Sequence, residues 1–383
     1  MQSKLAAPAA GRTRPGARAG RLRGLVAMGV RALVAGSVLA GLAALAGCQK
    51  TETVNRGYRG LAMVQLYKPA GVAALSEINQ IPPPEEPADP DSPSVNEVTK
   101  NVHVLNDLSA TEFARLMNAM ATWVAPDDGC DYCHNSDNLE SDEKYTKVVA
   151  RRMLQMTRTI NTKWKDHVGS TGVTCWTCHR GQAVPSGDWF ADLGPNTTVD
   201  EQMHNTGKNS PAPNAANSAL PRDPLSVYLT TSQASARVIG STALATGNRH
   251  SIKETEWTYS LMLYISKSLG VNCTYCHNTR AMAVWDESTP QRVTAWYGIQ
   301  MVRDLNTSFL IPLQPKFPPK RLSPTGDGPK IGCATCHKGT YKPLYGVSML
   351  PDYPVLRGAV APTAEGAAPS APLAHPNDVS TLH

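Results

Sequence analysis

Four stretches carry apolar residues at the three-and-four spacing of an amphipathic helix: Ala110 to Val124, Tyr145 to Trp164, Glu254 to Leu269 and Pro290 to Asn306. Each leads through a loop into a Cys-x-x-Cys-His motif, so the repeating unit reads helix, loop, motif. The pattern predicts a mainly α chain with long irregular connections. Residues 79–98, with Pro82, Pro83, Pro84, Pro87, Pro90 and Pro93 among acids, read as an extended strap. Residues 186–244, rich in Asn, Ser, Pro and Gly, read as a connecting segment or packing insert with one helix near Ser232 to Ile239. Residues 346–383 read as a low-complexity tail, Ala/Pro/Gly-rich and expected to be disordered after Arg357.

A further apolar run, Leu25 to Leu45, follows an Arg-rich start and ends in Leu45-Ala46-Gly47-Cys48. Residues 1–47 therefore read as an export signal. The ending resembles a bacterial lipoprotein box, which implies cleavage before Cys48 and a thioether from its sulfur to a diacylglycerol. The other reading is an uncleaved transmembrane helix, since about twenty residues span a bilayer and Arg31 can snorkel to the basic flank. Both put the bulk of the chain outside the cytoplasmic membrane, tethered at its N-terminus through a segment over 48–98.

Composition narrows the class. A chain of 383 residues, 41% hydrophobic and 18% charged, supports a buried core and excludes wholesale disorder. Thirty Pro and twenty-nine Gly against 6% aromatics give many turns and few large core side chains, so something else can fill the interior. The net charge of +6 is unevenly placed: residues 1–47 hold seven basic groups and no acid, leaving 30 basic against 31 acidic residues beyond them. A nucleic-acid partner is disfavoured on that balance.

Apart from Cys48, the cysteines form four copies of one pattern: Cys130-Asp-Tyr-Cys133-His134, Cys175-Trp-Thr-Cys178-His179, Cys273-Thr-Tyr-Cys276-His277 and Cys333-Ala-Thr-Cys336-His337. Chance supplies on the order of 0.005 such patterns in a chain of this composition, so four are a strong signal for c-type haem attachment. Two thiols three positions apart can add to the vinyl groups on one edge of a porphyrin, and the adjacent His can then ligate the iron. Structural zinc also uses Cys-x-x-Cys pairs but needs no His directly after each second Cys. Disulfides suit the compartment yet do not require that His either.

The motifs alternate in type. The first and third read Cys-x-Tyr-Cys-His-Asn, while the second and fourth read Cys-x-Thr-Cys-His followed by Arg180-Gly181 or Lys338-Gly339. Met156-Thr-Arg158-Thr-Ile160-Asn161-Thr162 matches Met301-Val-Arg303-Asp-Leu305-Asn306-Thr307, and Leu116-Met117 recurs as Leu261-Met262. Two pseudo-repeated halves follow, residues 99–185 and 245–345, each with two haems.

These four motifs, the Leu-Met pairs, the Arg151-Arg152-Met153 run, Arg56-Gly57-Tyr58-Arg59-Gly60 and Cys48 together resemble the tetrahaem cytochrome c subunit of purple-bacterial photosynthetic reaction centres, over roughly residues 48 to 350. The resemblance implies four covalently bound haems, three with His/Met ligation and one with His/His. Carried over, Met117 stands opposite His134, Met153 opposite His179, Met262 opposite His277, and His167 opposite His337. It further implies a row of haems, with the third-motif haem nearest the bacteriochlorophyll pair and the first-motif haem at the far end. The implied partners are reaction-centre membrane subunits carrying bacteriochlorophyll and a soluble periplasmic donor, either a small cytochrome c or a high-potential iron-sulfur protein. The implied location is the periplasmic face of the inner membrane.

The residues bear on those ligands independently. Met117 and Met120 share a helix face, so either can point at an iron, and the Leu116-Met117/Leu261-Met262 match favours Met117. The internal alignment sets Met156 against Met301 but Met153 against Gly298, so the fourth unit lacks the donor that the second uses and His167 is the natural replacement; the other reading makes Met156 and Met301 the ligands. With two protein ligands available to every iron, no position stays open for a substrate, which favours an electron carrier over an enzyme. A membrane-anchored tetrahaem carrier of a respiratory chain is the rival reading.

Overall fold

The computed structural model describes residues 51–55, 63–192, 212–231, 234–238 and 252–358. The signal over 1–47, Cys48, Arg56 to Gly60 and the chain beyond 358 lie outside these. By its internal contacts the chain divides into a small unit of residues 1–52 and 67–69, and a large unit of 53–66 and 70–383 that contains every Cys-x-x-Cys-His motif. Two short strands, β1 (Glu52–Asn55) and β2 (Val64–Tyr67), pair with each other. The rest is mainly helical: α1 (Pro69–Ile78), α2 (Val95–Val98), α3 (Ala110–Val124), α4 (Tyr145–Lys163), α5 (Lys165–Val168), α6 (Cys175–His179), α7 (Pro224–Leu229), α8 (Ile252–Leu269), α9 (Pro290–Leu305) and α10 (Cys333–His337). Among the described residues no helix is long and apolar enough to cross a membrane.

The four long helices occupy the spans their periodicity predicts, within two residues at each end. Ser109 starts α3 with a capping box: its hydroxyl accepts from the Glu112 N–H while the Glu112 carboxylate accepts from the Ser109 N–H. Leu116, Ala119 and Trp123 then form the buried stripe. Pro290 begins α9, at the first position where a missing N–H costs nothing. The backbone continues from α9 through a π turn, Asn306–Leu310, so the expected helical Asn306 begins a wider turn.

Two apolar clusters form the interior. One gathers Leu105, Leu108, Leu116, Trp123 and Leu154 with Leu350, Tyr353 and Leu356. The other gathers Ile160 and Trp164 with Leu225, Leu229, Leu261, Ile299, Leu305 and Phe309. Two sequence expectations need correction here. Residues 346–358 are no tail, because Met349, Leu350, Tyr353 and Leu356 are buried in the first cluster. The 186–244 connection contributes core through α7, whose Leu225, Tyr228 and Leu229 are buried, whereas residues 234–238 are irregular rather than helical. In both segments isolated apolar residues are buried by tertiary contact without forming a local period.

Buried polar side chains tie these clusters to the motifs. The Asn161 amide donates to the carbonyls of Val173 and Leu356 and accepts from the Val173 N–H. Asn306 repeats the arrangement: it donates to the carbonyls of Leu229 and Ile331, at 3.0 and 2.9 Å, and accepts from the Ile331 N–H at 3.0 Å. Val173 and Ile331 each stand two residues before a motif, so each Asn sets the approach of one motif. Arg158 and Arg303, three residues earlier, are also buried and donate to backbone carbonyls, of Val104 and Val355 in one case and Tyr228 and Ala234 in the other.

Asn306→Ala should therefore remove a partner from the Leu229 carbonyl and from both backbone groups of Ile331, whose carbonyl keeps the Trp189 indole N–H at 2.8 Å, and lower the unfolding free energy by about 2 kcal/mol. Denaturant unfolding checks this; a loss below about 1 kcal/mol would mean that the clamp contributes no more than an ordinary hydrogen bond.

Candidate functional site

The four motifs take two conformations that follow their two sequence types. The first and third begin as 3₁₀ turns, Gly129–Tyr132 and Cys273–Tyr275, and the His134 and His277 N–H groups donate to the carbonyls of Cys130 and Cys273, each at 2.9 Å. The carbonyls of Tyr132 and Tyr275 each accept from a hydroxyl fourteen residues on, Thr146 and Thr289, both at 2.6 Å. The second and fourth motifs are single α turns, α6 and α10. Their middle Thr explains the different type: the Thr177 hydroxyl accepts from the Thr174 N–H at 3.0 Å, and the Thr335 hydroxyl from the Gly332 N–H at 2.9 Å. The residues after the His, Arg180 and Lys338, are left-handed at φ 50° and 47°, and the following Gly181 and Gly339 have φ 76° and 83°. Two successive positive-φ residues turn the chain sharply, and the second is glycine because no Cβ is then strained.

That turn serves the imidazole. In each motif the His Nδ1 meets a backbone carbonyl: Leu139 for His134 at 3.1 Å, Gln182 for His179 at 2.8 Å, Met282 for His277 at 2.9 Å and Thr340 for His337 at 2.9 Å. A carbonyl can only accept, so Nδ1 carries the proton and Nε2 keeps its lone pair. This is the orientation that a metal-ligating imidazole takes from its outer partner. Burial holds His179, His277 and His337 below the usual imidazole range, His337 at about 4.

His167 has the same geometry without belonging to a motif. Its Nδ1 meets the Thr294 carbonyl of α9 at 2.9 Å, burial lowers its pKa, and its ring centroid lies 6.2 Å from that of His337. Gly298 makes the room: a Cβ there would stand 2.6 Å from His167 Cε1. The residue that the internal alignment sets against Met153 thus yields its side-chain space to His167. His103 differs, since its Nε2 is engaged by the Asn101 side chain at 2.7 Å. Met117, Met120, Met153 and Met262 are half-buried at the edges of the clusters, whereas Met156 and Met301 are buried in the apolar interior.

The motifs lie in a definite spatial order. Helix α3 packs on both the first motif and α6, and the Gly181 N–H donates to the Trp123 carbonyl at 2.9 Å. Helix α8 packs on α10, and the Gly339 N–H donates to the Ser268 carbonyl at 2.8 Å, just before the third motif. Helices α6 and α10 pack on each other, with the Cα atoms of Cys178 and Cys336 4.5 Å apart and their sulfurs joined. The order is first, second, fourth, third. The other six motif cysteines are unpaired; burial pushes the Cys133 and Cys276 thiols up to about 11 and those of Cys175 and Cys333 up to about 12. Among the described residues no three His, Cys, Asp or Glu side chains are grouped so as to hold a bare metal ion. The free cysteine pairs and imidazoles of the first and third motifs suit a prosthetic group held by paired sulfurs and one imidazole, and the second and fourth would hold one in the same way with Cys178 and Cys336 parted from each other.

Comparison with known proteins agrees with this chemistry. The family described as "Photosynthetic reaction centre cytochrome C subunit" matches residues 47–357. The "Photosynthetic reaction center cytochrome c subunit" of Rubrivivax gelatinosus is 47% identical over 345 residues, 89% of this chain and 94% of that protein. Proteins of the same description from Thermochromatium tepidum and Roseobacter denitrificans are 46% and 44% identical, over 86% and 70% of this chain and 81% and 75% of their own lengths.

The Thr335 hydroxyl is fully buried and also donates to the Gly187 carbonyl at 2.8 Å. Thr335→Val should cost about 2 kcal/mol or more in unfolding free energy by leaving both backbone groups unpaired. Thr335→Ser should recover most of it; equal losses in the two variants would contradict the capping role.

Proposed function

The chain belongs to the photosynthetic reaction-centre cytochrome c subunits, and on that premise we propose that it binds four c-type haems and relays electrons to the photo-oxidised bacteriochlorophyll pair of a reaction centre. The observation that carries this reading is the set of motif imidazoles, each fixed through Nδ1 so that Nε2 is free to bind iron. Bound haem supplies one-electron chemistry between ferrous and ferric iron. The chain's part is attachment through Cys130, Cys133, Cys175, Cys178, Cys273, Cys276, Cys333 and Cys336, with axial ligation by His134, His179, His277 and His337. Met117, Met153 and Met262 complete the first three irons, and His167 the fourth. Two imidazoles bound through nitrogen to one metal ion, each at about 2 Å, have ring centres roughly 6 Å apart, which the His167–His337 separation of 6.2 Å matches. The matched asparagine clamps and tyrosine–threonine contacts support two repeated halves.

The spatial order of the motifs supports a row of haems with the third and first at its ends. At the third-motif end Met63, Val64, Leu66, Met282 and Val284 are exposed, an apolar surface suited to the membrane subunits. Met63 is tied to that motif by its N–H to the Thr274 hydroxyl and its carbonyl from the Asn272 amide. If Cys48 carries a diacylglycerol, the 15 residues from it to Met63 reach at most about 50 Å, which keeps this end near the periplasmic face of the membrane. Around the first motif, Asp127, Asp128, Asp131, Asp137 and Glu140 are exposed. They suit a soluble donor with a basic face, a small cytochrome c or high-potential iron-sulfur protein, and imply an association rate that falls with salt.

Two measurements test the reading. Flash excitation of the membrane complex should oxidise a c-type haem of this chain as the bacteriochlorophyll pair is re-reduced; a haem-loaded chain that purifies without bacteriochlorophyll subunits and shows no flash oxidation would favour a respiratory carrier. His167→Met should raise one midpoint potential and leave the other three nearly unchanged, because thioether sulfur favours ferrous iron more than a second imidazole does. Four unchanged potentials would remove His167 from the ligands and promote Met301.

A further inference from the structure

Lys147, near the start of α4, is buried, with only 10% of its side chain exposed, and nothing in the function above uses it. Its ammonium donates to the Leu139 carbonyl at 2.8 Å and to the Ser141 carbonyl at 2.9 Å. The Leu139 carbonyl is the one that His134 Nδ1 meets at 3.1 Å, so a buried cation and a motif imidazole share one acceptor. The other motifs differ: among the described residues the carbonyls of Gln182, Met282 and Thr340 accept from their imidazole alone. The register that sets Met156 against Met301 sets Lys147 against Arg292. Arg292 also grips the loop after its motif, but at the Ala283 and Val284 carbonyls, with its guanidinium carbon 4.3 Å from the centre of the Trp285 ring. Asp142 offsets part of the lysine's charge. Its carboxylate lies 3.4 Å from Lys147 and 2.8 Å from Arg151, which leaves one net positive charge on the three side chains.

We propose that Lys147 is a positioning residue that sets the potential of the first-motif haem by acting on His134 through the Leu139 carbonyl. This deepens the electron-transfer reading above and rests on it. An Nδ1–H bond to an outer partner raises the basicity of the ligating nitrogen, and a more basic nitrogen favours ferric iron. A carbonyl that already accepts from an ammonium is a weaker acceptor for the imidazole, so the shared contact shifts the balance toward ferrous iron. The charge itself acts in the same direction, because a nearby cation disfavours the more positive oxidation state, and burial leaves it little screened. Both effects make the first-motif haem easier to reduce. In the step this governs, one electron passes from a reduced soluble carrier to ferric iron at the first motif; no bond forms or breaks and no proton moves.

The test uses the haem-loaded protein in its membrane complex. In Lys147→Met one of the four haems, and not the one that His167→Met moves, should lose about tenfold in its ferrous-to-ferric ratio at a fixed ambient potential, equivalent to about 59 mV for one electron. Lys147→Arg keeps the charge and should recover most of that loss. Asp142→Asn removes a negative charge and should shift the same haem the opposite way, an inversion that a merely structural disturbance does not produce. Redox-difference infrared spectra taken across that haem's titration read the imidazole ring mode that responds to Nδ1–H bonding, and in Lys147→Met it should move toward a stronger bond. Four unchanged potentials in Lys147→Met overturn the proposal, as does a lowered potential with the imidazole mode unmoved, which would leave no part for the carbonyl. If Lys147→Met fails to hold its first haem, Asp142→Asn decides: a raised potential supports the proposal and an unchanged one overturns it. These outcomes leave the electron-transfer role standing, whereas a mature chain without haem overturns the function proposed above as well.

Discussion

The hydrogen bond from a histidine Nδ1–H to a backbone carbonyl is the constraint around which this chain is organised. It fixes the tautomer, orients the ring and leaves one nitrogen lone pair for a metal. Supplying the carbonyl takes a different backbone in each motif type. After His179 and His337 the left-handed pairs Arg180-Gly181 and Lys338-Gly339 return the chain within three residues, to Gln182 and Thr340. After His134 and His277 a loop returns within five, to Leu139 and Met282. The helices before the motifs, with their caps and asparagine clamps, hold these short segments in register.

The same interaction reaches across the chain at one place. Thr294, on the helix that leads to the fourth motif, offers its carbonyl to His167, which follows the helix preceding the second motif. Gly298 removes the side chain that would occupy the same space. Together with the packing of α6 on α10 and the burial of Leu350, Tyr353 and Leu356 against α3 and α4, this makes the central region of the large unit mutually dependent.

Much of this was legible in the sequence because it is local. Helical periodicity located α3, α4, α8 and α9, and the alternation of Tyr and Thr in the motifs marked two motif types, although that the threonine hydroxyl caps its own turn shows only in the structure. The match of Met153 with Gly298 anticipated a missing side chain in the fourth unit. What stayed hidden is tertiary. Asn161 and Asn306 were visible as matched residues, but their role depends on carbonyls as far away as Leu356 and Leu229. The apolar residues of α7 and of 346–358 lie in Pro- and Gly-rich surroundings without a period, so nothing local announces their burial. Equally, nothing in the spacing of the motifs announces that Cys178 and Cys336 meet.

The central claim is that five imidazoles, rather than four, are held for iron, and that the fifth pairs with His337. Near-infrared magnetic circular dichroism of the fully oxidised protein separates iron bound by sulfur from iron bound by two imidazoles. The account predicts three His/Met signals to one His/His signal, with the His/His signal replaced by a fourth His/Met signal in His167→Met. Four His/Met signals in the unmodified protein would contradict it.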